Sequence, residues 1–259
     1  MTMRQGEGAG MVTSRGVFIT GGTSGIGWAA ASEFLEHGDR VVIGGREQTR
    51  VDAAVSSLRK KHPAREISGV PIDVRDRASV PRAFADASTM LGSLQVVVNS
   101  AGIFPRRSLA ELDDDTWEDT ISTNLSGVFR CCKAASPLVQ RAGGGSIVNV
   151  GSIWAKYTWP NRSAYAASKA AVEQFTRCIA LELAPLGVRV NAVSPGIMRT
   201  AMTENVLETP AFVNTFMPRV TSGRVGEPAA ELAGVIRFLT LDAAAYMYGE
   251  IVTVNGGYY

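Results

Sequence analysis

The feature that most limits the fold is an alternation of short apolar runs with longer amphipathic stretches, sustained from Gly16 to the end of the chain. The runs are "GVFIT" (16–20), "RVVIGG" (40–45), "SGVPID" (68–73), "LQVVVNSAG" (94–102), "GSIVNVGS" (145–152), "VRVNAVSPG" (188–196) and "IVTVNGG" (251–257). They are near-continuously apolar instead of alternating, as strands buried on both faces are. Between them lie helical patterns such as "GWAAASEFLEHG", closed by Gly38, and "TWEDTISTNLSGVFRCCKAASPLVQ". Strands that alternate with helices predict a doubly wound α/β domain around a parallel sheet.

At 259 residues the chain is long enough for one such domain with a sizeable core of its own. Residues 1–14, "MTMRQGEGAGMVTS", are Gly-rich and polar and are expected to form a flexible tail, with the domain spanning 15–259. No linker or internal repeat follows. The least regular stretch lies between Met198 and Gly226, after a strand that ends in "SPG". An insertion at the carboxyl end of a strand in such a sheet lies over the ligand crevice, so a substrate lid is expected around 198–223.

With 46% hydrophobic residues, 19% charged residues and a formal net charge of +2, the chain has no bulk bias towards nucleic acid or anionic lipid. A small-molecule substrate is expected. Cys131, Cys132 and Cys178 are odd in number, lack C-x-x-C spacing and read as reduced packing residues. The first residues carry no apolar signal region, and no apolar run is long enough for a bilayer, so a cytoplasmic location is expected. His37 and His62 both read as exposed. With no G-x-S-x-G, this argues against a histidine triad or a metal site, leaving acid–base work to Tyr, Lys, Asp or Glu.

The first apolar run leads into "TGGTSGIG" (20–27), followed by a helical pattern. Glycines here permit a tight turn and the approach of backbone N–H groups to a pyrophosphate, which the helix N-terminus then faces. Gly21, Thr23, Ser24, Gly25, Ile26 and Gly27 are therefore candidate cofactor residues. About 20 positions later, dinucleotide-binding folds place an acid that accepts from the ribose of NAD, or a base that accommodates the 2′-phosphate of NADP. Here Gly45 stands in the acid's place and Arg46 follows, which favours NADP(H) over NAD(H).

"SAYAASKAA" (163–171) places Tyr165 and Lys169 four residues apart, on one face of a helix. Spacing alone leaves chemistry and chance both open. Together, "TGGTSGIG", "DV" (73–74), "NSAG" (99–102), Asn124 in a long helix, Ser152, Tyr165-x-x-x-Lys169 and "SPG" (194–196) resemble, in order, the motifs of the short-chain dehydrogenase/reductase family. The resemblance runs from about Gly16 to the C-terminus and implies a Rossmann-type fold. It also implies a catalytic set of Asn124, Ser152, Tyr165 and Lys169. Tyr165 is then the general acid that protonates a carbonyl oxygen as hydride reaches carbon. A free phenol titrates near 10, and the positive charge of Lys169 is expected to lower that value. Ser152 is expected to hydrogen-bond the substrate oxygen, and Asn124 to hold a water that links Lys169 to solvent. Asp73 and Val74 would contact adenine, with Asn99, Ala101 and Gly102 beside the cofactor. Tyr165 and Lys169 would hold the nicotinamide ribose, and Pro195, Gly196, Ile197 and Thr200 the nicotinamide. "NSAG" departs mildly from the family's usual "NNAG".

Phe104, Trp154, Tyr157, Trp159, Met198, Met202, Phe212, Phe216 and Met217 fall on segments expected around the nicotinamide. They suit an apolar or aromatic carbonyl compound, or serve as lid and subunit packing. Arg106 and Arg107 read as a solvated loop, with an acidic substrate group as the alternative. The resemblance implies a homotetramer packed through the helices that carry Asn124 and Tyr165, with "NGGYY" reaching a neighbouring subunit. The leading functional expectation is an NADPH-dependent ketoreductase acting on a small or medium-sized carbonyl compound. An NAD-linked alcohol dehydrogenase, an imine or alkene reductase, and a dinucleotide-binding regulatory protein without turnover remain as alternatives.

Overall fold

The computed structural model describes residues 14–259, so the expected tail falls, except for exposed Ser14, outside the described residues. Seven parallel strands form one sheet in the order β3-β2-β1-β4-β5-β6-β7. They are β1 (Gly16–Thr20), β2 (Arg40–Gly45), β3 (Ile67–Pro71), β4 (Val96–Asn99), β5 (Gly145–Val150), β6 (Val188–Pro195) and β7 (Ile251–Val254). Every apolar run became a strand, but several strands stop short of the glycines and polar residues that close the run. Those residues form the loops over the sheet's carboxyl edge.

The helices are α1 (Gly25–Glu36), α2 (Gln48–Lys61), α3 (Ser79–Leu91), α4 (Asp114–Ile121), α5 (Gly127–Arg141), α6 (Ser163–Leu183), α7 (Glu204–Leu207) and α8 (Ala233–Phe238). Alternate strand residues feed two cores. Phe18 and Val42 face α3, α5 and α6, whereas Val17, Ile19, Val41 and Ile43 face α1, α2 and α8. Burial on both sides explains why the strand sequences show no polar alternation. β1 lies between β2 and β4, so the winding reverses there and opens a crevice at the carboxyl ends of these strands.

The stretch read as one long helix around Asn124 is three pieces. Asp113 caps α4 by accepting from Thr116 N at 2.6 Å, a π turn occupies Ser122–Ser126, and α5 resumes at Gly127. The region after β6 also differs from a plain loop. It folds into α7, a π turn at Phe212–Phe216 and a 3₁₀ turn at Met217–Arg219. The C-terminal Tyr258 packs on its own chain. Tyr258 is buried, stacks on Phe216 at 4.7 Å and meets Tyr157 edge-on at 5.1 Å.

Two other expectations are corrected. His62 is buried, not exposed. Its ring bonds Ser32 Oγ at 2.9 Å and lies 3.3 Å from Glu36, because the chain after α2 folds the imidazole against α1. Cys131 and Cys132 are buried as expected, but Cys178 is exposed on α6.

Candidate active site

The crevice is entered by the turn between β1 and α1. Gly21 adopts φ +69°, and a Cβ there would lie 2.7 Å from the backbone of Ala101, so only glycine lets the turn pass so close to the end of β4. Gly21, Thr23, Ser24, Gly25 and Ile26 line the cleft. Gly27 does not. It sits in the first turn of α1, where a Cβ would meet the Gly21 carbonyl oxygen at 2.3 Å, and its role is close packing of helix on turn. α1 has no acidic residue in its first turn and no side-chain cap from Ser24. Its N-terminal N–H groups and dipole are therefore left for an anion at the glycine turn, which is what the pyrophosphate of a dinucleotide requires.

Gly45, Arg46, Asp73 and Val74 line the other end of the cleft. A Cβ on Gly45 would stand 2.5 Å from Thr23 Cγ2, so an acidic side chain has no room there without displacing Thr23. Arg46 is exposed at the cleft wall and forms no ion pair among the described residues. The neighbouring Asp73 carboxylate is engaged by Arg75, with Nη2 to Oδ2 at 2.8 Å, and that hydrogen-bonded pairing holds its pKa below the usual carboxylate value.

At the sheet centre, the ends of β5 and β6 and the first turns of α6 bring Ser152, Tyr165, Lys169, Pro195, Gly196, Ile197 and Thr200 to the same cleft, with Ala101 and Gly102. Lys169 is buried and donates to the Val150 carbonyl at 2.7 Å. Its Nζ lies 5.8 Å from the centroid of the Tyr165 ring. Ser152 Oγ accepts from Trp154 N at 3.2 Å, which caps a short 3₁₀ turn and fixes the hydroxyl near the phenol.

Asn124 and Asn99 lie behind the cleft wall. Asn124 Oδ1 accepts from Ile103 N at 2.8 Å, and Nδ2 donates to Ile103 O and to Ser168 Oγ at 2.9 and 3.1 Å. The π turn thus presents its amide to the loop after β4 and to α6. Asn99 Nδ2 donates to Asn149 Oδ1 at 2.8 Å, and Asn149 in turn donates to Thr176 Oγ1 at 2.9 Å. Its side chain ties β4 to β5 and α6, not to the cofactor space.

Burial dominates the protonation of the central pair. It pushes the Tyr165 phenol up to about 12, opposed by hydrogen bonding to Ser152, and it brings Lys169 down to about 8, opposed by the Glu173 carboxylate. Desolvation of the phenolate is the larger cause at Tyr165, with the Ser152 hydrogen bond acting against it. At neutral pH the phenol holds its proton and the lysine is an ammonium.

Of the residues expected around a substrate, Phe104, Trp154, Met198 and Met202 line the cleft. Tyr157, Trp159, Phe212, Phe216 and Met217 pack beneath with Trp154 and Tyr258 as an aromatic cluster. Arg106 is half-buried, not solvated, whereas Arg107 is exposed. Two residues near the site were not singled out from sequence. Arg162 packs over Phe104 and Trp154, at 5.0 and 5.9 Å. Glu173 stands one helical turn beyond Lys169, and its half-burial raises its carboxyl. An i, i+4 Lys–Glu pattern was the available signal for Glu173; nothing local marked Arg162.

Comparison with known proteins agrees with this geometry. A family model described as enoyl-(acyl carrier protein) reductase matches residues 21–259. The chain is 35% identical over 246 residues to a 3α-hydroxysteroid dehydrogenase of Mediterraneibacter gnavus, covering 95% of this chain and 97% of that protein. It is 40% identical over 242 residues to a cis-4-hydroxycyclohexanecarboxylate dehydrogenase of Sinomonas cyclohexanicum, covering 93% and 94%. Among solved structures, a gluconate 5-dehydrogenase of Burkholderia cenocepacia in complex with NADP and tartrate superposes with a TM-score of 0.88 at 29% identity, covering 94% of each chain. The chain belongs to the short-chain dehydrogenase/reductase family and is an NAD(P)-dependent oxidoreductase acting on CH–OH and C=O groups.

Proposed function

We propose that this oxidoreductase is an NADPH-dependent ketoreductase of small to medium-sized carbonyl compounds. The observation that carries the reading is the convergence of Ser152, Tyr165 and Lys169 on a cleft whose other end holds the glycine turn and Arg46. The dinucleotide supplies the hydride when bound. Gly21, Thr23, Ser24, Gly25 and Ile26 would hold its pyrophosphate, and Asp73 and Val74 its adenine. Ala101, Gly102, Pro195, Gly196, Ile197 and Thr200 would hold the nicotinamide end, with Lys169 on the ribose. Gly27 and Asn99 act by packing that end of the sheet.

Tyr165 gives its proton to the carbonyl oxygen, and Ser152 donates a hydrogen bond to the same oxygen as negative charge develops. The Lys169 ammonium, fixed on Val150 O, favours the phenolate that remains. Asn124 fixes the loop after β4 against α6. NADPH is favoured by the absence of a side chain at Gly45 and the unpaired charge of Arg46. The NADP bound to the gluconate 5-dehydrogenase neighbour is consistent with that choice.

Residues 198–223 are assigned as the substrate lid, resting on the aromatic cluster around Phe216 and Tyr258. A homotetramer is supported by exposed apolar side chains on the helices expected to pack, Phe129 on α5 and Leu181 on α6. Buried, inert Cys131 and Cys132 suit a reducing cytoplasm. Among the described residues no helix is long and apolar enough to cross a membrane.

The description of the matching family model favours one second reading, reduction of an activated alkene on the same scaffold. Purified protein with NADPH or NADH and a panel of ketones, imines and enones tests both. Oxidation of NADPH by ketones is expected. Consumption by enones alone selects the second reading, and no consumption with any compound overturns the assignment.

A further inference from the structure

Two cations that the hydride chemistry does not use pack on Phe104, a residue of the cleft wall. Phe104 meets the Tyr165 ring edge-on at 4.5 Å. The same Phe104 ring carries both the Arg106 guanidinium at 5.2 Å and the Arg162 guanidinium at 5.0 Å. Neither arginine lines the cleft itself; both pack on Phe104, which does. No carboxylate pairs with either among the described residues. Arg106 Nη2 donates only to Met202 O and Asn205 Oδ1, at 3.1 and 3.3 Å, and Arg162 Nη1 only to Pro160 O, at 3.0 Å. The Nε atoms of both are buried without a partner.

Such an arrangement is unfavourable by itself. Two like charges share one ring, and two buried donors go unmet. Burial, with Arg106 adding to it, lowers the Arg162 guanidinium to about 10, so both remain cationic at neutral pH. The chain turns sharply just before Arg162. Asn161, directly before it, adopts φ +64°, and is the only non-glycine residue with positive φ among those described. A planar anion accepting from both guanidinium groups would offset their repulsion.

We propose that Arg106 and Arg162 bind a carboxylate on the substrate, remote from the reacting carbonyl, so that the preferred substrates are small oxo or hydroxy acids with an apolar body against Phe104 and Trp154. The inference rests on the ketoreductase reading and names its substrate class. Arg106 also donates to Met202 and Asn205, so the anion contact joins the loop after β4 to the lid segment.

The test compares 4-oxocyclohexanecarboxylate and 4-oxopentanoate with their carboxamides, with NADPH, in the wild type and in Arg106→Gln and Arg162→Gln. Hydrogen bonds to charged groups imply an acid-over-amide preference in kcat/KM of about tenfold to a hundredfold. Each variant should lose most of that preference, chiefly through KM, and Arg162→Lys should keep part of it. Raising salt from about 0.05 to about 0.5 M should erode it in the wild type, a check that needs no variant. Equal use of acids and amides by the wild type, or a preference that survives both variants, overturns the proposal and leaves the ketoreductase reading intact.

If no ketone is turned over, calorimetry decides the anion site separately, with cyclohexanecarboxylate and its carboxamide added to protein holding NADP⁺. Tighter carboxylate binding that both variants abolish upholds the site while the ketoreductase reading falls. Equal binding overturns both.

Discussion

Lys169 Nζ donates to the carbonyl oxygen of Val150 at 2.7 Å, so its charge is pinned to the end of β5, one helical turn from Tyr165. Burial brings this ammonium down to about 8 and pushes the phenol up to about 12. Reduction requires both groups protonated, and Lys169 is the first to lose its proton as pH rises. The rate of carbonyl reduction should therefore fall with an apparent pKa near 8. Glu173 raises Lys169, so Glu173→Gln should move the fall to lower pH. Initial rates from about pH 6 to about pH 10 check this. A flat profile, or a shift to higher pH in the variant, contradicts it.

Arg46 faces the cleft with no ion-pair partner among the described residues, beside a glycine that leaves no room for an acid. Arg46→Ala should raise KM for NADPH about tenfold to a hundredfold, the range for hydrogen bonds to charged groups. KM for NADH should change by no more than about threefold. Steady-state kinetics with both cofactors measures it, and equal losses would remove Arg46 from the cofactor site.

His62, clamped between Ser32 and Glu36, sets an acid limit on stability. Burial lowers its pKa beneath the ordinary 6.5, with Lys61 adding to the effect and Glu36 opposing it. Below 6.5 the unfolded chain takes a proton that the folded chain refuses. The His62 contribution is thus complete above pH 6.5 and is lost as pH falls through the folded-state value. Urea midpoints measured from about pH 7 down to about pH 5 should drop more steeply for wild type than for His62→Gln. Parallel slopes would contradict the linkage.

The sheet was legible because strands buried on both faces must be apolar throughout, and the glycine turn because Gly21 and Gly27 meet steric limits that only glycine satisfies. Tyr165 and Lys169 were legible because helical spacing puts them on one face and the ordered motifs around them resemble those of the family. The π turn around Asn124 was not, since its side chains keep a helical pattern and only the backbone bonding changes. Nor was Arg162 beside Phe104, a contact between residues 58 positions apart that depends on the left-handed backbone of Asn161. His62 misled because its charged neighbours in "RKKHPARE" are exposed while its own ring folds back on α1. The burial that raises the Tyr165 phenol was not legible, because it depends on the whole fold.

The central claim is that Tyr165 donates the proton. Tyr165→Phe keeps the ring, and with it the edge-on contact to Phe104, while removing only the acid. Single-turnover and steady-state reduction by this variant, alongside NADPH binding followed by fluorescence, tests the claim most directly. Cofactor affinity within about threefold of wild type is expected, with turnover lower by at least about a hundredfold, the contribution of a positioned general acid. Turnover at the wild-type rate would contradict it.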